Sequence, residues 1–122
     1  MIVCEDARVR PGSHGKIDIF GIMNKVAAKS LPCNLSFAVY LCLTNGRGVG
    51  NGRIVVRKDM EEDGVYAGDL HEFELGDDPL RLHPFMIRVF SCRLPATGLY
   101  SVEFVYNDVV LENWSMLVEK AT

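Results

Sequence analysis

The chain lacks a long apolar run: no window of its 122 residues approaches the about 18 apolar residues that a membrane helix needs. It also lacks helical patterning, because no amphipathic stretch with a 3.6-residue period runs for a useful length. Basic charge is not in excess. The 13 Lys and Arg stand against 16 Asp and Glu, a net charge of −3, which gives no electrostatic footprint for nucleic acid or an anionic membrane. The opening MIVCEDARVR has no basic n-region, and Glu5 and Asp6 break its apolar run. It does not read as a signal peptide, so a cytoplasmic protein is expected. With no internal repeat, low-complexity tract or linker, residues 1–122 are expected to form a single domain. A domain of this size buries roughly two thirds of its unfolded surface, enough for one core without staples.

The signatures of site chemistry are missing as well. There is no G-x-S-x-G elbow, and the carboxylates are too scattered for a glycosidase-type pair to be named from spacing. His14, His71 and His83 lie far apart, with no ligand partner at metal spacing. The acidic turn of Asp59, Glu61, Glu62 and Asp63 lacks the D-x-D-x-D-G spacing of a dedicated calcium loop. It reads as a solvated turn, with a weak cation site as the alternative. The glycine-rich NGRGVGNG at residues 45–52 is not G-x-G-x-x-G, and RIVVRK after it is a strand, so a flexible hairpin loop is expected in place of a phosphate cradle. Four cysteines, Cys4, Cys33, Cys42 and Cys92, form no C-x-x-C pair; buried free thiols are expected, with a Cys42–Cys92 bridge left open. No catalytic residue, cofactor-binding residue or metal ligand is assigned, and no cofactor is expected.

What is present is period-2 alternation punctuated by turn chemistry. Strand-like runs cover residues 1–9, 16–26, 35–44, 53–58, 65–75 and 85–94, followed by two arms between residues 98 and 119. The clearest is the third, where Leu35, Phe37, Val39, Leu41 and Leu43 make an unbroken apolar face. In the second run apolar residues occupy both faces, which predicts a strand covered on both sides. In the fifth, Gly68 predicts a bulge or a weak edge. Residues 27–34 and 76–84, each with a proline, suit connections between sheets. About eight strands predict an all-β fold, an antiparallel two-sheet β-sandwich of immunoglobulin-like or C2-like kind. A small barrel, or a sandwich completed by a partner, is the alternative.

The closing stretch GLYSVEFVYNDVVLENWSMLVE permits a sharper expectation. Tyr100, Val102, Phe104 and Tyr106 share one face of the first arm; Val110, Trp114, Met116 and Val118 share one face of the second. A two-residue turn at Asn107-Asp108 with regular pairing sets Val102 beside Asn113 and buries the wrong residues. A three-residue loop, or a bulge that restores the same parity, pairs Val102 with Trp114 and Tyr100 with Met116. Asn107 or Asp108 then takes a positive φ. This places Trp114 in the core and argues against a sugar-stacking platform.

The chain has more apolar surface than one core uses. With residues 35–43 and one face of residues 85–94 turned inward, Tyr40, Cys42, Met86, Phe90 and Cys92 need other cover, either from the loops around Pro32 and Pro79 or from another chain. Tyr40, Cys42, Met86 and Phe90 are therefore the candidate interface residues.

CEDAR at residues 4–8, GKIDIFGIMNKV at residues 15–26, Pro32 before a long apolar strand, Asp63-Gly64 and the Gly98/Tyr100 ending together resemble a family of small bacterial all-β proteins catalogued only as a domain of unknown function. The resemblance spans nearly the whole chain and is most specific over the first 26 residues. It implies a bacterial, cytosolic, single-domain sandwich and carries over no activity. The Glu5-Asp6 pair beside Arg8 and the Gly15-Lys16 turn are read either as a salt-bridged first hairpin or as the border of a binding site. The expectation is a non-enzymatic protein acting through protein–protein contacts, as a homo-oligomer or an accessory subunit, without nucleic acid or membrane. The alternatives are a small-ligand, carbohydrate or calcium-binding module, or a hydrolase whose site the fold assembles.

Overall fold

Alternation resolves into ten strands in the computed structural model, which describes residues 1–61 and 64–122. These are β1 (Ile2–Val9), β2 (Ile17–Ile22), β3 (Lys25–Ala28), β4 (Cys33–Leu43), β5 (Gly48–Lys58), β6 (Gly64–Ala67), β7 (His71–Gly76), β8 (His83–Leu94), β9 (Gly98–Tyr106) and β10 (Val109–Lys120). A four-stranded sheet runs β2-β1-β4-β8, and a six-stranded sheet runs β3-β10-β9-β5-β6, with β7 also on β5. The core lies between them: Val3, Phe37, Val39, Leu41, Ile87 and Val89 of the first sheet join Ile54, Val56, Phe73, Phe104 and Met116 of the second in one cluster. The all-β, two-sheet expectation holds.

Ten strands replace the expected eight because two long runs are split. Residues 16–26 change sheets at Met23 and Asn24, where Met23 N–H donates to Val3 O (2.9 Å) and Leu117 N–H donates to Asn24 O (2.9 Å). The run at residues 65–75 breaks at Gly68, whose N–H donates to Ile54 O while β6 and β7 pair separately with β5. The sheets are not wholly antiparallel, since β3 pairs parallel with β10. A strand delivered by a crossing segment is free of the antiparallel direction that a hairpin imposes. Nor is β2 covered on both sides: it is an edge strand, and Phe20 and Ile22 are exposed.

The closing hairpin keeps its parity by a bulge. Asn107 (φ 48°) and Asp108 (φ 66°) form a two-residue turn with Val109 opposite Tyr106, and the register slips between Val110 and Glu112. Trp114 then faces Val102 and Met116 faces Tyr100. Val110, expected on the inner face, precedes the slip and lies outward beside Val105. The turn is docked onto β5: Asn107 N–H donates to Asn51 O (2.8 Å), and Asn51 N–H donates to Asn107 Oδ1 (2.9 Å). Trp114 is half-buried against the core and donates Nε1–H to Met23 O (2.7 Å), tying β10 to the segment that crosses between sheets. Fully buried Tyr100 donates its hydroxyl to Ala96 O (2.7 Å), so no polar group is orphaned there.

The glycine-rich stretch is not a loop throughout; it enters β5 at Gly48. Its glycines admit aromatic rings onto the strand. A Cβ at Gly50 would lie 1.9 Å from the Tyr106 hydroxyl oxygen, and one at Gly52 would lie 2.8 Å from the rings of Phe104 and Phe73.

Candidate functional site

The face of the four-stranded sheet turned away from the core is the first candidate. Strand pairing aligns core residues Val3, Val39 and Ile87 in one row, so their neighbours on the opposite face are Ile2, Tyr40 and Met86, with Cys4 and Ala38 in the next row. Cys4, Ala7 and Ala38 are wholly buried on this side, with Ile2, Ile17, Ile19 and Met86 packed around them as a second, smaller apolar cluster. A groove of about 290 Å³ opens beside it, lined by Ile17, Ile19, Tyr40, Cys42, Leu82 and Pro84. Leu82 and Pro84, from the connection around Pro79, flank the groove, and Leu82 is itself exposed.

Polar cover comes from one side chain. Arg88 of β8 sits opposite Ala38, and its guanidinium reaches across β4 to Asp6 Oδ1 (2.6 Å) and Ala7 O (3.1 Å). Asp6 also accepts from Arg8 Nε (2.6 Å), whose guanidinium lies 5.9 Å from the Phe20 ring centroid. These hydrogen bonds, from Arg88 first and Arg8 second, hold the Asp6 carboxyl down at about 2. In the first hairpin, Arg10 pairs with Asp18, which lowers the Asp18 carboxyl as well. The first hairpin is thus salt-bridged, and its Asp6 additionally clasps β8. Burial, with Asp6 as a second cause, pushes up the Cys4 thiol beneath the clasp.

The four candidate interface residues are not all together. Tyr40 and Met86 are direct cross-strand neighbours, and Cys42 joins Tyr40 in the groove. Phe90 lies apart, two positions beyond Arg88 along β8, and just past it the β4–β8 register slips between Leu35 and Phe37, with Ser91 at a φ of 54°. Phe90, next to buried Val89, is 69% exposed as alternation requires, and the extra residue swings Cys92 and Leu94 into the core. Cys92 therefore needs no outer cover, and burial pushes its thiol up to about 11. The Cys42–Cys92 bridge is ruled out, since Cys42 is exposed on the outer face and Cys92 is buried in the core. Exposure of Cys42 and partial exposure of Cys33 also correct the expectation that every free thiol is buried.

Phe90 borders a second groove of about 390 Å³, where the edge of β8 meets the break between β6 and β7. A third cleft, of about 470 Å³, holds Glu74, Asp77, Asp78, Arg81 and His83 near the start of β8. There the His83 ring stacks on Phe85 at 6.5 Å, and its buried Nε2 meets no hydrogen-bond partner among the described residues. Among those residues no three His, Cys, Asp or Glu side chains gather as metal ligands, and no helix is long and apolar enough to cross a membrane. The acidic-turn expectation lies partly on Glu62 and Asp63, outside the described residues.

Sequence reading missed Ile2, Ile17, Ile19, Leu82 and Pro84 as parts of the outer face. The alternation of residues 1–9 did carry a signal for Ile2, but it named no partner. The Arg88–Asp6 clasp left no signal, since its two residues lie 82 positions apart. Compared with known families, the chain matches a family described as a family of unknown function (DUF6941) over residues 1–119. No curated protein and no solved structure matches it.

Proposed function

The chain belongs to this family of unknown function, and from its geometry we propose that it works through protein contacts and not by catalysis, meeting a second copy of itself across the outer face of the four-stranded sheet. One observation carries the reading: Ile2, Tyr40 and Met86 stand in a row where a lone two-layer protein ordinarily shows water a polar face. A second copy is favoured over an unlike subunit by charge. Arg88 crosses this face to reach Asp6, and a surface holding both signs can meet its own image, whereas a one-sign surface repels it. A bacterial, cytoplasmic setting and an immunoglobulin-like or C2-like sandwich belong to the same proposal; the buried Tyr100 with its hydroxyl on a carbonyl four residues upstream supports the latter.

Light scattering tests the contact. The native chain is expected at twice or more its 13.6 kDa mass, and Met86→Glu is expected to bring it to the monomer with unchanged far-ultraviolet circular dichroism. A native monomer at all accessible concentrations would point to an unlike subunit and remove the self-association reading. An oligomer untouched by Met86→Glu and by Tyr40→Glu would place the contact elsewhere.

A further inference from the structure

The groove beside Phe90 is built differently from the outer face, and it stands independently of the self-association reading. Its floor is apolar, from Ile54 of β5 and Ile87 of β8. Two aromatic rings border it from opposite sheets, Tyr66 of β6 and Phe90 of β8. Gly68 keeps room for the tyrosine: a Cβ there would come 3.2 Å from the Tyr66 hydroxyl oxygen and 3.3 Å from Ile54 O. Phe90 stands exposed directly before the bulge, where Ser91 takes a left-handed φ that its residue type seldom adopts.

A carboxylate and an imidazole share the rim, Asp69 and His71. Asp69 lines the groove and makes no ion pair among the described residues. It is close enough to Tyr66 to push its hydroxyl up, after burial and Cys92. Arg88 also borders the groove, but its guanidinium is held on the far side of β4 by Asp6 and Ala7 O, which leaves its stem here. An apolar trough bordered by two aromatic rings and a carboxylate is complementary to a cation on an aliphatic stem. β8 is the last strand of its sheet, so its open edge runs along the groove and offers main-chain groups to an extended chain.

We propose that this groove binds a lysine side chain presented by an extended segment of a partner protein lying along the free edge of β8. The ammonium meets Asp69, and the four-carbon stem lies between Tyr66 and Phe90.

The test is a nuclear magnetic resonance titration of the labelled protein with a capped seven-residue peptide carrying a central lysine, beside the same peptide with norleucine, which keeps the stem and removes the charge. Amide shifts are expected at residues 66–71 and 87–91, with the lysine peptide binding about fivefold tighter than the norleucine one, the scale of an exposed ion pair. Asp69→Asn is expected to abolish that preference, and Phe90→Ala to weaken the lysine peptide about threefold, as loss of an exposed cation–π contact would. Both positions are exposed, and unchanged amide spectra away from the groove verify that the variants fold. Equal binding of the two peptides, a preference that survives Asp69→Asn, or shifts confined to the outer face of the four-stranded sheet would each overturn the proposal. Binding of n-butylammonium as tight as that of the peptide would overturn the peptide assignment in favour of a free amine.

Discussion

The two sheets bury similar inner faces and differ on their outer ones. On the six-stranded sheet, outward positions mix Val55, Leu99, Val105 and Leu117 with Arg53, Arg57, Ser101, Glu103, Asn113 and Ser115, and the polar ones pair across the face: Arg57 Nε on Glu103 Oε1 at 2.7 Å, with Lys25 Nζ on Glu119 Oε2 at 3.2 Å. On the four-stranded sheet the same kind of row reads Ile2, Tyr40 and Met86 above Cys4 and Ala38, crossed by the Arg88–Asp6 clasp. The difference lies in how many of the outward positions are polar. β9 places Ser101 and Glu103 between Tyr100, Val102 and Phe104, whereas β4 places Ala38, Tyr40 and Cys42 between its core residues. A sheet with polar outward positions is finished by water. One with apolar outward positions is finished only by something else, here partly by small residues under an arginine and partly by nothing within the chain.

The comparison predicts unequal tolerance at matched outward positions. Ala38 is fully buried beneath the Arg88 clasp, so Ala38→Leu should lower stability by about 1–3 kcal/mol through overpacking, while Ser115→Leu on the opposite sheet should stay within about 0.5 kcal/mol. Urea midpoints read both; equal effects would erase the distinction between the faces. A smaller loss is expected where the sheets are tied together. Trp114→Phe keeps the ring contacts but strands Met23 O, and should cost about 1 kcal/mol on the same measurement.

The smallest effect concerns acid. The Asp6 carboxyl sits at about 2 when folded against an ordinary 3.8, so it binds its proton less readily folded than unfolded. Its contribution to stability is therefore complete above that ordinary value and is lost as pH falls from about 4 toward 2. Carboxyl carbon resonances should show Asp6 titrating near 2, and Arg88→Ala, which removes the largest of the causes that lower it, should move it upward. An Asp6 titration unchanged in Arg88→Ala would mean that the clasp does not form in solution.

Several features were legible in the residues. The parity of Tyr100, Val102 and Phe104 against Trp114 and Met116 required either an odd loop or a slip, and the slip between Val110 and Glu112 is what the hairpin uses. Gly68 marked the break in its strand, and the unbroken face around Phe37, Val39 and Leu41 marked the core. Cys92 was misassigned for a reason visible only in three dimensions. A bulge at Ser91 exchanges the faces on either side of it, and a serine carries no advance sign of a positive φ. The glycines at residues 50 and 52 looked like a loop because the rings they admit, Tyr106, Phe104 and Phe73, come from distant strands.

The sequence by itself determined the class of fold, the inward face of most strands and the register of the closing hairpin. Each follows from period-2 alternation and local turn chemistry, which act between residues near one another in the chain. Only the tertiary structure decided which strand joins which sheet, that β3 runs parallel to β10, and that Arg88 reaches Asp6 across Ala38. It alone brought Tyr66, Asp69 and Phe90 around one groove. These depend on contacts between residues far apart in sequence, where pairing is settled by the packing of whole sheets and by single-residue slips that no local pattern announces.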